Sequence, residues 1–185
     1  MGWWAFDVFT QLAAQPPSTS SDTAAQTILR NIGLYTYMIP VGLASASNFF
    51  TGKYIGRGQV ENAKKMANMC MTCAVIWSCF TIALVSFGQE GIMDFYTKQE
   101  TVKDSMRSAW YVLLIFILFD CLQGVAAGLI SGLNLLSKVK HVTIVDYWVV
   151  GIPISIYMMF TLKMGLEGLW YGPTVACALN FLFYQ

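Results

Sequence analysis

The sequence is poor in charge. Only 11% of its 185 residues are Asp, Glu, Lys or Arg, and the formal net charge is +1. Soluble domains carry about 25% charged residues. Disorder needs high charge with low hydrophobicity, so it is excluded. No basic excess exists for a nucleic-acid partner. There is one histidine, His141, and a lone histidine in a helix flank is little on which to build a Ser-His-Asp set. What is abundant is apolar mass: 56% of residues are hydrophobic and mean hydropathy is +0.55. Aromatic residues reach 15%, with six tryptophans, and such residues gather at membrane interfaces. These numbers predict an integral membrane protein with a lipid bilayer as its surroundings.

The distribution of charge agrees. A bilayer core of roughly 30 Å needs about 20 apolar residues as a helix. No charge lies between Arg30 and Lys53, between Lys65 and Glu90, or from Gly168 to Gln185. Asp120 is alone in Ser108–Ser137, and Asp146 is alone in Val142–Leu162. Five spanning candidates result, with a shorter one, Trp3–Ala14, that contains Asp7. The expected helices are 3–15, 26–52, 66–88, 108–135, 142–162 and 167–185. Barrel strands would be about ten residues long and alternate apolar with polar; these stretches are longer and apolar on every face. Pro40 and Pro153 are expected to kink their helices. Gly124, Ala127, Gly128, Ser131 and Gly132 are small enough to let helices approach closely.

The connections read as a Pro/Ser loop at Gln15–Asp22, a basic loop at Gly52–Lys65 and a mixed-charge loop at Gln89–Arg107. Short turns follow at Lys138–Lys140 and Lys163–Glu167. The two basic loops carry six Lys/Arg and the opposite side five, so the positive-inside rule favours them as cytoplasmic by a small margin. Met1–Ala14 has no base, so it lacks the basic region of a secretory signal.

The five cysteines all lie in apolar stretches. Cys70-Met-Thr-Cys73 has CxxC spacing, but no four-ligand set accompanies it, and the expected role is small buried packing. Gly52-Lys-Tyr-Ile-Gly-Arg-Gly58 lacks the Gly-Lys-Ser/Thr of a phosphate loop, and Glu61 occupies the third glycine position of a dinucleotide fingerprint. No nucleotide, metal or other cofactor is called for, and no enzyme chemistry.

The informative residues are carboxylates inside apolar segments. Acids at bilayer depth are costly and usually face a bundle interior or cavity. Asp120 and Asp7 are the candidate proton- and cation-coupling residues, with Asp146 third and nearer an interface. Trp3, Trp4, Phe6, Tyr35, Tyr37, Tyr147 and Trp148 offer π-faces to an organic cation or form an interfacial belt. Trp4, Tyr37 and Tyr147 join Asp146 and Asn180 as possible cavity lining.

Several ordered segments resemble one family. Trp3-Trp-Ala-Phe-Asp7, Tyr37-Met-Ile-Pro-Val-Gly-Leu-Ala-Ser-Ala46, Gly52–Gly58, Asp120-Cys-Leu-Gln-Gly-Val-Ala-Ala-Gly128, Tyr147-Trp-Val-Val-Gly-Ile-Pro153 and Gly168-Leu-Trp-Tyr-Gly172 resemble the second half of eukaryotic multidrug and toxic compound extrusion (MATE) transporters. The resemblance implies an all-α membrane protein. This chain would be the six-helix C-terminal lobe of a twelve-helix fold, its first and last helices truncated and the N-terminal lobe absent. It implies antiport of small organic cations and xenobiotics for protons, with sodium as the alternative coupling ion, in a plasma, vacuolar or vesicular membrane. In the family's Glu-Trp-Trp-x-x-Glu pattern Asp7 matches the second acid and Gly2 replaces the first. Asp120 matches the tenth-helix acid, Tyr147 the eleventh-helix tyrosine and Asn180 a polar twelfth-helix position. Departures are Phe50-Thr-Gly-Lys53, Thr143 and Ser131, where members often carry Arg-x-Gly-Asn, Asn and Arg. The alternatives are a non-transporting multi-span scaffold or transporter remnant, and a flippase of lipid-linked sugars.

Overall fold

Thr19 starts the longest helix. Its hydroxyl accepts from the Asp22 amide while the Asp22 carboxylate accepts from the Thr19 amide at 2.9 Å, a reciprocal cap that satisfies otherwise orphaned donors. A computed structural model describes residues 2–16 and 18–184. Met1, Pro17 and Gln185 lie outside the described residues, as do the side chain of Trp3 and the Pro17 part of the predicted loop. The helices are α1 (Gly2–Leu12), α2 (Ser20–Gly56), α3 (Val60–Phe87), α4 (Gln89–Tyr96) and α5 (Glu100–Gly132). A composite helix follows: α6 (Leu136–Val145), a π-helical turn (Asp146–Gly151), α7 (Ile152–Ile156) and a second π-helical turn (Tyr157–Thr161). The last element is α8 (Gly165–Phe183). The described residues contain no strand.

The helices begin and end beyond the charge-free stretches. Helix α2 opens at Ser20 rather than 26, and α5 at Glu100 rather than 108. The Gln89–Arg107 segment is not a plain loop: it holds α4 and the first turns of α5, where charges pair with one another. Lys138 and Lys140 stand in α6, and the chain turns just before them, at Asn134, with φ of 59°. Three helices combine the length and apolarity needed to cross a bilayer: Val60–Phe87, Glu100–Gly132 and Leu136–Thr161. Stretches 26–52 and 167–185, also expected to span, are helical but more polar. Helix α2 carries Arg30 and the buried Gln26 and Ser47, and α8 carries Gly168, Gly172, Pro173 and Asn180.

Helix α5 is the axis. It packs along α2 on one side and α8 on another, and α3 covers the α2–α5 seam. Small residues set the α2–α5 seam. A Cβ at Gly128 would strike the Ala44 backbone, and one at Gly132 would lie 2.7 Å from the Asn48 carbonyl oxygen. The main core gathers Phe9, Leu29, Trp110, Leu113, Phe116 and Trp170, with the Phe116 and Trp170 rings edge to face at 5.2 Å. On α3, Ile76, Phe80, Leu84 and Phe87 are exposed, as a bilayer-facing helix requires. Cys73 and Cys79 are exposed there too, while Cys70, Cys121 and Cys177 are buried. The expectation that all five are buried is thus corrected: a cysteine in an apolar helix faces lipid as readily as protein.

Proline inside a helix frees the carbonyl four residues earlier. Pro40 lies inside an unbroken α2, and the freed Thr36 carbonyl accepts from the Trp77 indole of α3 at 3.4 Å. Pro173 lies inside α8, and the freed Leu169 carbonyl accepts from the Ser155 hydroxyl at 2.7 Å. Neighbouring helices re-satisfy both breaks, as the absence of water in a bilayer demands. Pro153 follows the π-helical turn, whose wider register is seen in the Ile152 amide bonding back to Tyr147. Ser155 is fully buried. Ser155→Ala should therefore cost about 1–3 kcal/mol, because a buried acceptor loses its donor. The thermal midpoint of the purified variant checks this.

Candidate functional site

Asp120 stands two-thirds of the way along α5, partly buried, facing the π-helical turn and α8. Four side chains close a ring. Gln123, one turn later, uses Nε2 to reach Asp120 Oδ1 at 3.5 Å and the Tyr147 hydroxyl at 3.3 Å. The Tyr147 hydroxyl lies 3.2 Å from Cys177 Sγ. Cys177 Sγ donates to Asp120 Oδ1 at 3.9 Å. With Asp120 ionised, every proton in the ring points toward the carboxylate: Gln123 donates to Tyr147 and Asp120, Tyr147 to Cys177, and Cys177 to Asp120. A carboxylate accepts only; a protonated one also donates. Both donors use Oδ1, so a proton on Oδ2 leaves the ring closed and removes the charge it surrounds. The ring ties α5, the π-helical turn and α8 to one titratable group.

Tyr37 borders this ring from α2. An ideal Cβ at Gly124 would lie 2.5 Å from the Tyr37 hydroxyl and 2.8 Å from its ring. The phenol thus lies over a glycine one helical turn from Asp120, and only a residue without a side chain admits it there.

Asp7 does not join the ring. Its side chain is 60% exposed and pairs with Arg30 of α2 at 2.7 Å; Arg30 also reaches Thr10 at 3.3 Å. An exposed pair of this kind contributes about 0.2–1 kcal/mol. The residue that turns inward is Phe6, whose ring meets Phe116 at 5.8 Å and Tyr147 at 6.1 Å. Trp4 is exposed on the outside of α1. Asp146 and Asn180 are buried between helices rather than on an open surface. The sequence brings Asp120 and Tyr147 forward and gives no role to Gln123, Cys177 or Arg30. Gln123 has a legible signal, one turn from an acid in an apolar run.

A second charged cluster lies at the α4–α5 corner. Arg107 donates to both oxygens of Glu90 at 3.1 and 2.7 Å, and Lys103 pairs with Asp94 at 2.6 Å. The Arg107 hydrogen bonds hold Glu90 below its ordinary range, and Lys103 does the same for Asp94. A depressed carboxylate stabilises above the unfolded value and loses that contribution as pH falls through the folded one. The docking of α4 should thus weaken below about pH 4, seen as lost hydrogen-exchange protection across 89–107. Glu90→Gln should remove part of that pH dependence.

The described residues thus form an all-helical lobe with an acid ringed by hydrogen-bonding side chains in an apolar interior. The MatE family model matches residues 4–157, and the chain belongs to that family. It is 29% identical over 182 residues to multidrug and toxin extrusion protein 1 of Danio rerio, covering 98% of this chain and 30% of that one. It is 24% identical over 170 residues to Protein DETOXIFICATION 18 of Arabidopsis thaliana, covering 92% of this chain and 36% of that one. A crystal structure of a eukaryotic MATE transporter overlays with a TM-score of 0.93 at 22% identity, covering 99% of this chain and 41% of that one. The chain spans about a third of the length of these curated relatives. MATE proteins are integral membrane transporters, not enzymes.

Proposed function

We propose that this chain forms the C-terminal lobe of a proton-coupled exporter of small organic cations, acting with an N-terminal lobe. The observation that carries the reading is the ring around Asp120, a carboxyl whose charge depends on one proton. Ionised, Asp120 attracts a cation entering beside Tyr37 and Tyr147. Protonated, it no longer does, and the cation leaves toward the opposite side. Asp7 is the second acid of this scheme: a cationic substrate reaching it must displace Arg30, so Arg30 holds the place when no substrate is there. The π-helical turn that holds Tyr147 gives the composite helix a register that can change, and Pro40 and Pro153 mark where helices bend. Such rocking of one repeat against another is the general route of alternating access. The host membrane is a plasma, vacuolar or vesicular one. The test is uptake of a fluorescent organic cation into proteoliposomes holding both lobes, driven by a pH gradient or by a sodium gradient. Uptake driven by the pH gradient alone supports the reading. Uptake driven only by sodium, or by neither, overturns it.

A further inference from the structure

Two buried oxygens on facing helices have no hydrogen-bond partner among the described residues. Asn180 of α8 is fully buried; its Nδ2 donates to the Ala176 carbonyl at 2.9 Å, while its Oδ1 accepts nothing. Asp146, the first residue of the π-helical turn, is 8% exposed and its Oδ2 is buried without a donor. Two contacts bracket them. Thr143 meets the Tyr184 hydroxyl, and Tyr147 meets Cys177. Asp146 falls between Thr143 and Tyr147 on one helix. Asn180 falls between Cys177 and Tyr184 on the other, three and four residues from each and so on the same face. Both orphan oxygens therefore lie in the stretch of the interface bounded by these two contacts.

An ionised carboxylate buried without a donor is strongly disfavoured, and a buried amide oxygen without one also costs free energy. One hydrogen removes both penalties. A protonated Asp146 supplies an O–H, and Asn180 Oδ1 is the acceptor it lacks. One carboxylate and one amide are too few oxygens to enclose a metal ion, which takes about six. We infer that Asp146 and Asn180 form a second proton-holding pair in the lobe, with the proton on Asp146. The pair rests on these contacts and not on the export reading. Its neighbour in sequence, Tyr147, belongs to the Asp120 ring, so both protonatable positions bear on one π-helical turn. Loss of the Asp146 proton sets a charge against an amide oxygen and pushes that turn away from α8. Other titratable groups on the surrounding elements are Tyr184 and Cys177 of α8, Asp120 of α5, Asp7 of α1, and Lys138, Lys140 and His141 of α6, the last three on the outer part of that helix.

The experiment is infrared spectroscopy of the chain in lipid nanodiscs near neutral pH, with Asp120→Asn as background so that Asp120 contributes no carboxyl signal. The protonated-carboxyl stretch should be present in this background and absent once Asp146→Asn is added. Asp146→Asn keeps a donor for Asn180, so the double variant should fold. In the same background Asn180→Leu should move the stretch to higher frequency, because the acid loses its acceptor. Absence of the stretch in the Asp120→Asn protein overturns the pair, as does its survival in the double variant or an unmoved frequency in Asn180→Leu. Failure of the export reading leaves these spectra unchanged, so the two inferences fail separately.

Discussion

Gly128→Leu is expected to abolish the folded lobe, while Gly42→Ala leaves it intact or slightly more stable. The contrast follows from what each new side chain would meet. At Gly128 the first added carbon already collides with the Ala44 carbonyl group and lies 2.9 Å from its Cα. Those atoms are backbone of α2, which cannot rotate away as a side chain can. Overpacking in adaptable cores costs about 1–3 kcal/mol; here the helices must separate, breaking the longest contact in the lobe. Separation also strips Tyr37 from Gly124 and Asn48 from Gly132, since the three glycines fall on one stripe. Gly42 has open space around it, and alanine in a helix gains up to about 1 kcal/mol over glycine. An intermediate case is Gly124→Ala, where the obstacle is the movable Tyr37 phenol. The yield of monodisperse protein and its thermal midpoint should therefore order the variants as Gly42→Ala, Gly124→Ala, Gly128→Leu. Equal yields for the first and last would mean that the α2–α5 seam does not set the fold.

This seam is legible in the amino-acid sequence. Gly124, Gly128 and Gly132 recur every four residues in α5, a spacing that puts all three on one face. Asp120 is legible because a charge in a long apolar run demands a reason. Its ring is not. Cys177 reads as one more small apolar residue, and Tyr147 and Cys177 meet only because the composite helix and α8 pack against each other. The π-helical turns carry no composition signature; the first ends where Gly151 and Gly172 bring two backbones together, a Cβ at Gly172 colliding with Gly151 and Ser155, and the second lies where Gly168 meets the Met158 backbone. Helix ends differ from the expected ones for a related reason. A charge-free run measures the apolar stretch, whereas the helices continue past it wherever charges pair locally, as Lys103 and Arg107 do with Asp94, Glu90 and Glu100. Asp7 shows the opposite failure. An acid beside apolar residues stands out, while its partner, 23 residues away at Arg30, reads only as a charge at the end of a loop.

Asp120→Asn should leave the protein folded and remove proton-driven export. Asparagine keeps the size of aspartate and still accepts from Gln123 and Cys177, so the ring can close. What it lacks is a second protonation state. Hydrogen bonds to a charged group contribute about 1.5–3 kcal/mol, and each step of about 1.4 kcal/mol is a factor of ten. Attraction of a cation at high pH should fall by roughly 10- to 100-fold, and the rate should cease to respond to the pH gradient. Asp7→Asn, in an exposed pair, should cost less than about tenfold. Uptake in proteoliposomes at several external pH values separates the two. Tyr147→Phe supplies the control for the ring itself. It deletes the hydroxyl between Gln123 and Cys177 while leaving the carboxyl, so it should displace the pH profile without flattening it. A flat profile in Asp120→Asn with a displaced one in Tyr147→Phe is the signature of a carboxyl whose neighbours tune it. If Asp120→Asn exports with the wild-type pH response, the proton is carried elsewhere, and the ring is a structural clasp between α5 and α8.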